Sequence, residues 1–292
     1  MCRSLNNLES IKEIMCYLPV RVQNFLKTLS EQKLSQIQEI SLRNGKPLGI
    51  VSNAQENSEK NIIISFEEIS KTFQAVCSYS VYRYEQELSE GYITVKGGCR
   101  VGICGSAVRN GQNIQSLKAI SSLNFRIAGE RIGIAEPLRN YLSGSLLIAG
   151  TVGSGKTTYL RDLCRLTGNQ SRTALIDERG ELAAVYRGIP AHDVGLMTDI
   201  LDGYPRAAGI LTALRVMTPE YIICDEISTE SDREAVQQAA GCGIKLIAAC
   251  HAGSPEELRQ RSLLRPLLEA EVFQTQVFLK DREIQKISYL KK

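Results

Sequence analysis

The chain has 292 residues, of which 43% are hydrophobic, and its formal net charge at pH 7 is +3. This length can bury a full core and predicts two domains. The basic excess is scattered along the chain, with no clustered stripe, so nucleic acid is not an expected partner.

The composition also indicates the cellular compartment. The nine cysteines are spread without zinc-site spacing, which favours small buried residues in a reducing environment. The first residues lack the layout of a signal peptide, and no apolar run approaches the roughly 20 residues of a membrane-spanning helix. We therefore expect a cytosolic protein without direct membrane insertion.

The first half of the chain predicts a smaller α+β domain over residues 1–128. Apolar residues at helical spacing, interrupted by Pro19, predict two short helices. The segment IQEISLRNGKPLGIVS predicts two strands around an Asn44-Gly45 turn, and NIIIS predicts a third. Ser65 and Glu68 have the spacing of a capping box that opens a helix. GYITVKGGCRVGICGSAV alternates like a hairpin, and SSLNFRI is a further strand.

The second half has a different pattern. Residues 129–144 are expected to be a linker with a short helix after Pro137. Residues 145–292 contain the apolar runs SLLIA, TALID, YIICD and KLIAAC, separated by helical segments. Continuous runs of this length are typical of parallel strands covered on both faces, so this half predicts an α/β domain.

A phosphate-binding loop follows the first of these strands. The segment GTVGSGKT at 150–157 fits the pattern G-x-x-x-x-G-K-[ST] and lies between a predicted strand and a predicted helix. Lys156 is expected to reach the β- and γ-phosphates of ATP, and the Thr157 hydroxyl to bind Mg²⁺. The residues predicted to bind nucleotide are Gly150, Thr151, Val152, Gly153, Ser154, Gly155, Lys156, Thr157 and Thr158.

Two other strand ends carry acids. In PEYIICDEIS, Asp225 would hold Mg²⁺, and Glu226 would orient and deprotonate the attacking water. Without the phosphate loop, they would be interpreted as two surface acids. In TALIDERGELA, Asp177 and Glu178 would face the nucleotide, since ligands bind beyond the carboxyl ends of such strands. An ordinary charged turn is an equally good interpretation of this second pair.

His251 ends the strand KLIAAC and precedes Ser254-Pro255-Glu256-Glu257, which predicts a helix start. That position places the imidazole on the same sheet edge as the phosphate loop. From there it could contact the γ-phosphate and report its loss.

The order of these motifs resembles that of the traffic ATPases of type II and type IV secretion, whose catalytic domain is RecA-like. The match covers most of 145–260. The segments GGCRVGICGSAV, ISSLNFRIAGERIGIAEPL and IDERGELAA resemble, more specifically, the stage III sporulation protein AA family, over nearly the whole chain. The resemblance implies that Glu178 belongs to an aspartate box, that Glu226 is the catalytic glutamate and that His251 is the sensor. It also implies that Arg100 and Arg126 contact the phosphates. Secretion ATPases often have glycine where this chain has Asp225, so the role of Asp225 rests on P-loop chemistry alone.

The sequence thus predicts an ATP- and Mg²⁺-dependent RecA-like ATPase, and by resemblance a homo-hexameric ring. The resemblance further implies membrane-embedded channel or secretion proteins as partners, on the mother-cell side of the forespore membrane during endospore formation. Two alternatives are a nucleic-acid-stimulated ATPase on the same fold and a nucleotide-gated scaffold with negligible turnover.

Overall fold

The computed structural model describes residues 7–52, 55–110, 113–127 and 129–289. The chain forms two compact units. Within these ranges, one unit contains residues 7–130 together with Ala184–Ala191, and the other contains Arg131–Ala183 together with residues 192–289. Within the described ranges, no helix has the length and apolar character needed to cross a membrane.

In the described residues, the N-terminal unit forms a six-stranded antiparallel sheet with five α-helices. The strand order is β3-β2-β1-β6-β5-β4. The helices are α1 (Asn7–Ile14), α2 (Val20–Thr28), α3 (Glu31–Ser35), α4 (Phe66–Val76) and α5 (Glu85–Glu90). The strands are β1 (Ile37–Arg43), β2 (Pro47–Ser52), β3 (Gln55–Ile63), β4 (Tyr92–Thr94), β5 (Arg100–Asn110) and β6 (Asn113–Arg126).

Local signals in the sequence explain most of these elements. Pro19 separates α1 from α2, and Ser65 and Glu68 form the predicted capping box of α4. Strands β3 and β6 begin earlier than predicted, at Gln55 and Asn113. Strand β3 lies at the edge of the sheet and is exposed along most of its length, so its added residues carry no alternating apolar pattern.

The second unit contains a seven-stranded sheet in the order β11-β8-β12-β13-β7-β14-β15. Its strands are β7 (Leu146–Gly150), β8 (Thr173–Asp177), β11 (Thr198–Asp202), β12 (Tyr221–Glu226), β13 (Lys245–Cys250), β14 (Thr275–Lys280) and β15 (Glu283–Tyr289). Its helices are α6 (Lys156–Gly168), α7 (Arg206–Val216), α8 (Glu230–Gly241), α9 (Pro255–Gln260) and α10 (Arg265–Glu269). The short hairpin β9 (Val185–Tyr186) and β10 (Ile189–Pro190) falls within the stretch assigned to the N-terminal unit.

The four predicted apolar runs are confirmed as parallel strands. Strands β7, β8, β12 and β13 are neighbours in the sheet and pair in parallel. Strands β7 and β8 are buried at every position, as expected for a sheet covered on both faces. Their carboxyl ends share one edge of the sheet, which brings the loops after residues 150, 177, 226 and 250 together.

The prediction of buried cysteines is confirmed only in part. None of the cysteines in the described ranges forms a disulfide, but three of them are exposed: Cys16, Cys104 and Cys242.

Candidate nucleotide-binding site

The loop between β7 and α6 has the conformation of a phosphate cradle. Gly153 and Gly155 have φ values of +75° and +98°, in the left-handed region that side chains disfavour. Such turns aim successive backbone N–H groups into one concavity, and the start of α6 adds the positive end of a helix. A β-carbon on Gly150 would overlap the Ser154 hydroxyl. That hydroxyl is buried and, within the described chain, has no hydrogen-bond partner.

The other loop residues surround this cradle. Thr151, Val152 and Gly153 form its exposed tip, and Val152 is 86% exposed. Thr157 and Thr158 lie half-buried in the first turn of α6. The loop therefore presents backbone amides and hydroxyls, the donors that bind phosphate oxygens.

Lys156 places its ammonium group inside the loop. Its Nζ donates to the carbonyl oxygens of Gly150 at 2.9 Å and Thr151 at 3.0 Å. Burial lowers the pKa of Lys156, and the nearby carboxylates of Glu226 and Asp225 oppose that shift. The cation is therefore partly desolvated, which strengthens its attraction for an anion.

His251 connects Lys156 to Glu226. The Lys156 Nζ lies 3.1 Å from His251 Nδ1, and His251 Nε2 lies 2.8 Å from Glu226 Oε2. An ammonium group can only donate, so Nδ1 accepts, and Nε2–H donates to the carboxylate. The contacts thus assign a neutral imidazole with its proton on Nε2. The three residues form one directed hydrogen-bond chain.

The three residues of this hydrogen-bond chain are positioned by three strands of the sheet. Lys156 follows β7, Glu226 ends β12 and His251 follows β13. The register of β12 against β13 shifts between Ile223 and Glu226. An irregularity of this kind re-aims the next side chain, which here meets the imidazole.

Asp225 is the second acid of β12, and its surroundings fit a cation. Burial raises the pKa of Asp225, and the carboxylates of Glu181, Asp177 and Glu226 raise it further against the opposing charge of Arg206. Its carboxylate accepts no hydrogen bond from the described residues, and the Thr157 hydroxyl makes none with them either. A divalent cation beside the Asp225 carboxylate would relieve the excess negative charge, and carboxylate and hydroxyl oxygens are donors that suit Mg²⁺.

The second acidic strand end differs from the sequence prediction at Asp177. Its side chain was expected to face the nucleotide, but it is 2% exposed. Its carboxylate accepts three backbone N–H bonds, from Glu181 at 2.8 Å, Leu182 at 3.0 Å and Ala183 at 2.8 Å. Asp177 therefore holds the turn after β8 in place.

Glu178 is exposed and forms an ion pair with an arginine that the sequence did not single out. Arg206, at the start of α7, is 7% exposed and lies 2.9 Å from Glu178 and 3.0 Å from Asp232. Asp232 belongs to the capping box of α8. Arg206 thus ties the turn after β8 to the starts of two helices. Its sequence context, a proline followed by arginine, carried no signal for this role.

Arg100 and Arg126 belong to the N-terminal unit. They are directly paired across β5 and β6, and the Arg100 guanidinium lies 4.6 Å from the centre of the Tyr92 ring. Arg126 is exposed. Their contact with a nucleotide stays a prediction that the family resemblance implies.

Comparison with known proteins shows which family the chain resembles. The family model described as sporulation stage III, protein AA matches residues 8–287. Stage III sporulation protein AA of Bacillus subtilis strain 168 is 36% identical over 277 residues, which cover 90% of this chain and 89% of that protein.

Two solved structures share the fold. The Legionella pneumophila ATPase DotB has a TM-score of 0.62 at 17% identity, covering 89% of this chain and 76% of DotB. The pilus retraction motor PilT, solved with bound ADP, has a TM-score of 0.63 at 14% identity, covering 90% of this chain and 81% of PilT. The predicted fold class is confirmed: a RecA-like α/β unit with a smaller N-terminal α+β unit.

Proposed function

Because the chain belongs to the stage III sporulation protein AA family, we propose that it is a P-loop ATPase that drives a membrane channel complex during endospore formation. Its reaction is the hydrolysis of ATP to ADP and phosphate. The observation that carries the proposal is the hydrogen-bond chain from Lys156 through His251 to Glu226 at the phosphate loop.

Each group in this hydrogen-bond chain has a chemical role in hydrolysis. The loop amides and Lys156 bind the phosphates and offset their charge. Glu226 has one carboxylate oxygen engaged by His251, which leaves the other free to orient a water and accept its proton. His251 links the two, so a change in what Lys156 binds reaches the base through two hydrogen bonds.

Asp225 and Thr157 are the proposed Mg²⁺ residues. The ion would neutralise charge that develops on the transferred phosphoryl group. Glu178 is proposed to act near the terminal phosphate, from the position that Arg206 gives its carboxylate.

Self-association is part of the proposal. Transition-state charge in P-loop enzymes needs an arginine brought to the γ-phosphate, and Arg100 and Arg126 are the candidates from the sequence. We expect a closed homo-oligomer, with six subunits by family resemblance, in which one subunit completes the site of its neighbour. Its proposed place is the cytoplasmic, mother-cell side of the forespore membrane, held there by channel or secretion proteins.

The test is phosphate release by the wild type and by Glu226→Gln over a range of protein concentrations, beside mass in solution with and without nucleotide. We expect wild-type turnover per subunit to rise as the oligomer forms. We expect the Glu226→Gln variant to bind ATP but to lose at least about a hundredfold in turnover. Equal rates near zero for both proteins would instead indicate a scaffold that binds nucleotide without hydrolysing it.

A further inference from the structure

A second cationic side chain lies against the phosphate loop, on the hairpin formed by β14 and β15. Strand β14 pairs in parallel with β7, and Leu279 lies opposite Gly150. Strand β15 returns antiparallel, and the pair Lys280 and Glu283 closes the turn. The turn is therefore at the carboxyl edge of the sheet, beside the residue that begins the phosphate loop.

The turn holds its two residues in a defined conformation. Asp281 and Arg282 have φ values of +51° and +67°. Left-handed values at both central positions are those of a two-residue hairpin turn whose twist matches the strands. Such a turn fixes the direction in which the Arg282 side chain leaves the backbone.

Arg282 covers a glycine of the loop directly. A β-carbon placed on Gly155 would lie 3.4 Å from the Arg282 Cα and 3.6 Å from its Cβ and Cγ. Gly155 is the residue before Lys156 and caps α6. The stem of Arg282 thus packs over the backbone that forms the cradle.

The guanidinium of Arg282 has no partner of its own in the described part of the chain. It makes no hydrogen bond or ion pair there, and the residue is exposed. Lys156, in contrast, already donates to two loop carbonyls. Arg282 is therefore a permanent charge beside an anion cradle, with all of its side-chain donors available.

We propose that Arg282 binds the α- and β-phosphates of the nucleotide, from the same chain as the phosphate loop. This inference rests on the proposed function, because it requires a nucleotide in the cradle. The glycine-rich backbone of such a loop cradles the α- and β-phosphates, whereas the lysine reaches the β- and γ-phosphates. Arg282 lies over that backbone, and His251 and Glu226 extend from the lysine. Arg282 thus strengthens the binding of both ATP and ADP, whereas His251 and Glu226 act at the terminal phosphate.

The test compares the affinities of ATP and ADP by calorimetry in the wild type, Arg282→Gln, Arg282→Lys and Lys280→Gln. Losing a charge-assisted hydrogen bond to phosphate weakens binding by about tenfold to a hundredfold. We expect Arg282→Gln to show this loss equally for ATP and ADP. We expect Arg282→Lys, which keeps the charge without the forked donors, to lie between it and the wild type. Lys280→Gln removes one charge from the same hairpin and should change either affinity less than about threefold.

The outcomes separate this inference from the proposed function. Arg282→Gln affinities equal to the wild type's, a loss confined to ATP, or an equal loss in Lys280→Gln would each overturn the role of Arg282 and leave the ATPase proposal standing. A wild type that binds neither nucleotide would overturn both. Thermal unfolding checks that each variant is folded. If Arg282→Gln is not folded, Arg282→Lys is compared with the wild type instead.

Discussion

His251→Ala removes the central member of the hydrogen-bond chain at the phosphate loop. Two bonds are lost, one from Lys156 at 3.1 Å and one to Glu226 at 2.8 Å. Bonds to charged groups contribute about 1.5–3 kcal/mol each, and the His251 and Glu226 side chains are 32% and 30% exposed. Partial exposure favours the low end of that range. Only the bond to Glu226 acts on the group that activates the water, so we expect its loss to cost about 2 kcal/mol in the transition state. That is about a 30-fold fall in kcat.

The same variant should leave ATP affinity nearly unchanged. Lys156 keeps its bonds to the carbonyls of Gly150 and Thr151 without the imidazole. The assay is steady-state phosphate release at saturating ATP, with affinity measured separately by calorimetry. His251→Gln is the matched control, because its amide carries both an acceptor and a donor, and its kcat should lie between those of the wild type and His251→Ala.

A mutant cycle tests whether His251 acts through Glu226. If it does, His251→Ala should have little further effect on turnover in a Glu226→Gln background. A kcat unchanged by His251→Ala, or the full 30-fold loss repeated in the Glu226→Gln background, would refute the reasoning.

Three further predictions follow from the loop and the two acidic strand ends. Gly150→Ala should abolish measurable ATP binding while the protein stays folded, because the added carbon meets the Ser154 hydroxyl and lies 3.0 Å from the Leu279 carbonyl; Gly241→Ala, where nothing lies within 4 Å, is the control, and equal binding by both variants would contradict this geometry. Asp225→Asn should raise the Tm of the nucleotide-free protein at neutral pH and reduce turnover. The sign follows from the raised pKa of Asp225: above that pKa the buried carboxylate destabilises the folded state, and the penalty disappears as the pH falls through it. An unchanged or lower Tm at neutral pH would contradict the claim that the Asp225 carboxylate destabilises the folded state. Asp177→Asn should lower the free energy of unfolding by about 2–4 kcal/mol, because its amide cannot accept all three backbone N–H bonds. Urea unfolding measures this, and a change below about 0.5 kcal/mol would contradict the structural role of Asp177.

Much of the site could be predicted because its signals are local in the sequence. The phosphate loop is a contiguous motif, and Glu226 and His251 each end an apolar run. Parallel strands bring their carboxyl ends to one edge, so strand identity alone placed both residues near Lys156. The order of hydrogen bonds could not be predicted, since it depends on the register shift in β12 and on the tautomer of one imidazole.

The features that escaped prediction depend on packing between distant segments. Asp177 has the same sequence context as Asp225, a carboxylate at the end of an apolar strand, yet only the fold shows that backbone amides enclose it. Arg206 meets Glu178 and Asp232 across long sequence separations. The β14–β15 hairpin was not anticipated either, and with it the contact of Arg282 on Gly155 was missed.

The most direct test of the account is the affinity for ADP measured with and without aluminium fluoride, which mimics the transferred phosphoryl group. The account predicts that aluminium fluoride tightens ADP binding to the wild type at least about a hundredfold, as expected for a transition-state analogue. Glu226→Gln and His251→Ala should lose most of that gain while their affinity for ADP alone stays unchanged. If both variants show the full gain of the wild type, Glu226 and His251 do not act on the terminal phosphate, and the central claim is wrong.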